Sequence, residues 1–101
     1  MFENTVYYLP GFGGRLHTGL GEGLTGRGFQ VAGRETRDEF KLLSFQQQID
    51  TIASDLKEHF WSERAHVVVN SFGGYLFLHA QAQLPPYPGK VLMLSPIVGD
   101  F

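Results

Sequence analysis

Ala65-His66-Val67-Val68-Val69-Asn70-Ser71-Phe72-Gly73-Gly74-Tyr75-Leu76-Phe77-Leu78 is the stretch that decides the fold. Its first half is β-branched and reads as a strand. From about Phe72 to Gln83 it reads as a helix, stopped by Pro85-Pro86. A small hydroxyl residue stands at the junction, with two glycines just downstream. The layout is that of a sharp strand-to-helix turn, which lifts a serine oxygen out at the carboxyl end of a sheet. Glycine is needed beside such a serine because the two backbones come close there, and the serine itself takes unfavourable dihedrals. The pattern G-x-S-x-G also asks for glycine where this chain has Val69. Serine and asparagine are equally good helix N-caps, so the motif alone leaves two readings open.

Upstream, Thr5-Val6-Tyr7-Tyr8-Leu9 is a buried strand ended by Pro10-Gly11, and a glycine-rich loop follows over 12–17. Leu16, Leu20 and Leu24 recur at helical spacing, and Gly28 closes that helix. Gly19, Gly21 and Gly23 each cost it about 1 kcal/mol relative to alanine. The segment therefore packs very closely on its neighbours or is only partly helical. A strand of mixed polarity over 29–34 and a charged connector over 35–41 come next. Ser44-x-x-Gln47 has capping-box spacing. Phe45, Ile49, Ile52, Ala53, Leu56 and Phe60 then line one helical face. Gln46, Asp50, Asp55, Lys57 and Glu58 form the solvated one. Lys90-Val91-Leu92-Met93-Leu94-Ser95 is the last strand, halted by Pro96. The order β-α-β-α-β-α-β predicts one α/β domain over 1–101, a parallel sheet with helices on both faces.

Bulk properties narrow the function classes. With 101 residues, 43% hydrophobic and 14% aromatic, the chain can bury one modest core. A net charge of −2 with mixed signs gives no reason to expect nucleic acid or an anionic membrane. No apolar run approaches the ~20 residues of a membrane span, and Met1-Phe2-Glu3-Asn4 does not begin a signal peptide. With no cysteine there is no thiol catalysis, and the cytoplasm is the default compartment.

The glycine loop adds a second site. Leu9-Pro10-Gly11-Phe12-Gly13-Gly14 follows the first strand and so lies at the same end of a parallel sheet as Ser71. A backbone N–H of this loop and the one after the serine together make an oxyanion hole. The loop also reads as a phosphate cradle or a plain turn, but no Gly-Lys-Ser/Thr follows, and Leu16 stands where the dinucleotide fingerprint wants its third glycine. Gly21-x-Gly23-x-x-Gly26 matches that fingerprint in letters without opening off a strand.

Together these segments resemble the N-terminal part of the α/β-hydrolase family. Tyr7 to Gly14 looks like its strand and oxyanion loop, with Pro10 where a histidine often stands. Val67 to Gly74 looks like its nucleophile strand and elbow, and Val91-Leu92-Met93-Leu94-Ser95-Pro96 like the strand that follows. The resemblance implies a strand order of 2-1-3-4. It makes Ser71 the nucleophile, gives the oxyanion hole to the N–H groups of Phe12 and Phe72, and places Gly11, Gly13 and His17 around the substrate. The implied reaction is hydrolysis of a carboxylic ester or thioester through an acyl-enzyme. Phe12 and Phe72 give the mouth an apolar character that favours an apolar acyl group. No cofactor and no metal are expected.

A catalytic serine also needs a histidine base and a carboxylate. His17, His59, His66 and His79 are each better read as surface or strand-end residues. Asp100 follows the last strand, where some family members carry their acid. The base and acid are expected beyond Phe101 or from another chain. Val91-Leu92-Met93-Leu94 is continuously apolar, as central strands are, yet falls at a sheet edge and invites pairing. The helix at Tyr75-Leu76-Phe77-Leu78 is apolar around much of its circumference, as though covered on more than one side. Two expectations follow: a partial hydrolase, or a homodimer across that strand, with residues 1–101 marginally stable as a monomer. The rival to catalysis is a non-catalytic α/β module that binds a partner through the same edge.

Overall fold

The computed structural model describes residues 5–11, 14–17 and 19–94. Four strands, β1 (Thr5–Leu9), β2 (Gln30–Gly33), β3 (His66–Asn70) and β4 (Lys90–Leu94), form one all-parallel sheet in the order β2-β1-β3-β4. The helices are α1 (Leu20–Gly26), α2 (Asp38–Leu42), α3 (Phe45–His59) and α4 (Phe72–Ala82). The expected fold class and strand order are those observed. No helix among the described residues is long and apolar enough to cross a membrane.

Alternation along β1 and β3 divides the core in two. Tyr7 and Leu9 of β1, with Val67 and Val69 of β3, face α3 and α4 and pack on Ile49, Ile52, Leu56, Leu76 and Phe77. Val6, Tyr8 and Val68 point to the opposite face and meet Leu16, Leu20 and Leu24. The predicted leucine stripe is thus real as a packing surface, although Leu16 precedes the helix. Both readings of its glycines hold in part. The helix is only seven residues long. Gly21 also presses so close that a Cβ there would overlap the Leu16 carbonyl, whereas Gly23 has open space.

The capping box forms as its spacing predicts: Ser44 Oγ accepts from Gln47 N–H (3.1 Å) and Gln47 Oε1 from Ser44 N–H (3.0 Å). Two expectations need correction. The connector over 35–41 contains a short helix, α2, whose charged first turn gave no apolar period to read. Asp55 does not belong to a purely solvated face, because Tyr7 and Arg34 both bond to it. Val91 to Leu94 falls at a sheet edge as expected: β4 is the edge among the described strands, and Leu92 is 55% exposed. Ser95 and Pro96, expected to end this strand, lie outside the described residues.

Candidate active site

The strand order places a reversal between β1 and β3. The chain leaves β1 for β2 by way of α1 on one face, and leaves β3 for β4 by way of α4 on the other. Two adjacent parallel strands whose connections diverge open a crevice at their carboxyl ends, where open α/β sheets bind ligands. Gly11 and Ser71 meet at this crevice. A methyl group at Gly11 would stand 3.6 Å from Ser71 Cβ and 4.0 Å from its Oγ.

Ser71 occupies the turn between β3 and α4 with φ 53° and ψ −118°, a backbone conformation that side chains rarely tolerate. It stands at the N-cap, but its side chain makes no capping bond. The plain-cap reading therefore lacks its defining interaction. The backbone is held instead: Ser71 N–H donates to Leu94 C=O (3.0 Å), and Ser71 C=O accepts from Gly74 N–H (2.9 Å). A second turn in the chain makes the comparison direct. Gly19, the N-cap of α1, has φ 55° and ψ −121°, nearly the same angles, and there the residue is glycine.

The glycine downstream is required sterically. A Cβ at position 73 would lie 2.1 Å from the Leu9 carbonyl oxygen and 2.7 Å from that of Pro10, so α4 passes directly over the end of β1. Upstream, Val69 stands on β3 where the pattern has glycine, and its side chain is fully buried in the core that β1 and β3 share with α3 and α4. Phe72 begins α4, so its N–H belongs to the first turn, whose amides point out of the helix end.

The other expected residues are distributed as follows. Phe12, Gly13 and Asp100 lie outside the described residues. Gly11 is at the crevice. His17 lines a cleft of about 780 Å³ at the carboxyl end of β2, with Leu16, Arg34, Arg37, Phe40 and Thr51. His66 begins β3, four residues before Asn70 at its other end, or about 13 Å at strand rise. His79 is eight residues along α4 from Ser71, about 12 Å at helical rise, and is tilted against Tyr75 at 4.6 Å between ring centroids. His59 is exposed at the far end of α3. None of these three is in reach of Ser71. Among the described residues no group of histidines and carboxylates is arranged to hold a metal.

Two features escaped the sequence. Thr36 is a buried polar residue that bonds to both Gly11 and Gly14, and beside it Glu35 Oε2 accepts from Leu16 N–H at 3.0 Å. A threonine in a charged connector carries no periodic signal, and only burial separates it from its neighbours. The second is a bridge between β1, α3 and the end of β2. Tyr7 Oη donates to Asp55 Oδ2 (2.7 Å), and Arg34 reaches both oxygens through Nε (2.7 Å) and Nη2 (2.8 Å). Burial pushes the Tyr7 phenol well above its ordinary range, and the Asp55 charge adds to the effect. The Asp55 bonds raise Arg34 further. This cluster ties the edge strand to α3 on the face of the sheet that α3 covers.

Comparison with family models, with curated proteins and with solved structures finds no match.

Proposed function

We propose that the protein is a serine hydrolase of α/β-hydrolase type that cleaves a carboxylic ester or thioester. One observation carries this reading: Ser71 holds a backbone conformation that the same chain gives to glycine at residue 19, with its side chain unused for capping. A strained non-glycine residue persists where the surrounding structure over-determines it, and such sites cluster at functional positions. Ser71 Oγ would attack the acyl carbon. The N–H groups of Phe72 and Phe12 would receive the oxyanion, assisted by the positive end of the eleven-residue helix α4. The base and acid come from outside the described residues or from another chain. A small acyl ester is the substrate class, and the cytoplasm is the compartment that a cysteine-free chain fits.

A fluorophosphonate probe tests this, since it phosphonylates an activated serine far faster than an ordinary one. Stoichiometric labelling is expected, and Ser71→Ala should abolish it. Unlabelled protein at high probe concentration contradicts the proposal.

The second reading is a binding or dimerisation module, and the exposed Leu92 favours it. A groove of about 250 Å³ runs beside it between Val6, Leu24, Phe29, Val68 and Val91. Pairing of β4 with β4 of a second copy would cover this edge. Sedimentation should then show a concentration-dependent dimer that Leu92→Lys weakens. A monomer at every concentration would remove this reading.

A further inference from the structure

We propose that Thr36 is a positioning residue for the oxyanion loop, an inference that rests on the hydrolase reading of Ser71. Thr36 comes from the segment after β2, 25 residues from Gly11, and is 2% exposed. Its hydroxyl serves both ends of the glycine turn. It donates to the Gly11 carbonyl and accepts from the Gly14 N–H at 3.0 Å. The turn is also closed on itself, with Gly14 N–H donating to Gly11 C=O at 2.9 Å. Two residues further on, the Glu35 carboxylate holds Leu16 N–H. The two ends of the turn, Gly11 and Gly14, are therefore held both by their own bond and from the segment that follows β2.

Such a clamp matters because three of the four residues over 11–14 are glycine. Glycine has the most conformational freedom to lose, whereas an oxyanion hole works only if its donors are already in place when charge develops. A misplacement of about 1 Å can cost on the order of 100-fold in rate. Valine has nearly the shape of threonine but cannot hold either end of the turn. Serine can hold both.

The test compares wild type, Thr36→Val, Thr36→Ser and Ser71→Ala with a p-nitrophenyl ester and a fluorophosphonate, with melting followed in parallel. In Thr36→Val, kcat and the labelling rate should fall about 10- to 100-fold with KM within about twofold, as expected for donors that act only in the transition state. Thr36→Ser should recover to within about threefold. The proposal is overturned by a Thr36→Val enzyme within twofold of wild type. It is equally overturned by a Thr36→Ser enzyme that melts normally but remains more than about tenfold slow, a result that keeps the test decisive if Thr36→Val does not fold. Wild type without Ser71-dependent turnover or labelling would instead reject the hydrolase reading, and this inference with it.

Discussion

At the scale of the residue, Ser71 combines chemistry and strain at one backbone position. Its φ of 53° is one that glycine adopts freely and serine does not. Replacing it with glycine should therefore raise stability by about 1 kcal/mol, from the lower end of the usual strain cost, while abolishing probe labelling. Ser71→Ala should abolish labelling with no comparable gain, because alanine keeps the Cβ. Urea denaturation of the three proteins measures the difference. A glycine variant less stable than the alanine variant would show that the turn is unstrained. The motif made Ser71 visible in the sequence. Its conformation and the absence of a capping bond were not visible, because both depend on how α4 meets the sheet.

At the scale of the element, α4 is set by the close pass of its first turn over β1. Gly73 makes that pass, and Leu76, Phe77 and Ala80 bury the inner face behind it. An alanine at 73 would meet main-chain oxygens, which cannot rotate away as a flexible side chain can. Gly73→Ala is expected to cost about 3 kcal/mol or more, the upper part of the overpacking range, and to displace Ser71 from Gly11. Thermal melting with probe labelling reads both effects; a fully stable, fully labelled variant would contradict the packing described. The glycines of this element and the capping box of α3 were legible in the sequence because each follows a local rule. Helix α2 was not, since its five residues are too few to show a period and Leu42 is 85% exposed.

At the scale of the whole molecule, buried phenols couple stability to alkaline pH. Tyr87 donates to the Phe60 carbonyl at 2.6 Å, and burial raises its pKa to about 12. Tyr7 is raised by burial and by Asp55. In the unfolded chain both ionise near pH 10, the ordinary phenol value. The stability they contribute is therefore complete below about pH 10 and is lost as pH rises from there, through about 12 in the case of Tyr87. The urea midpoint should stay level up to about pH 9.5 and then fall, and Tyr87→Phe should flatten part of the fall. A midpoint that does not move between about pH 10 and 11.5 would show that these phenols are not held neutral by the fold.

The sequence by itself determined the α/β class, the four strands, the capped helix α3 and the position of the serine. These follow from periodicity, turn residues and caps, which act over a few neighbouring residues. The strand order matched what the family resemblance implied. Only the tertiary structure decided that Gly11 and Ser71 lie side by side, that Thr36 holds the glycine turn, and that Asp55 is shared by Tyr7 and Arg34. Each of these joins residues between 21 and 60 positions apart. Contacts of that span arise when parallel strands bring their carboxyl ends to one edge of the sheet, and no local pattern in the chain encodes them.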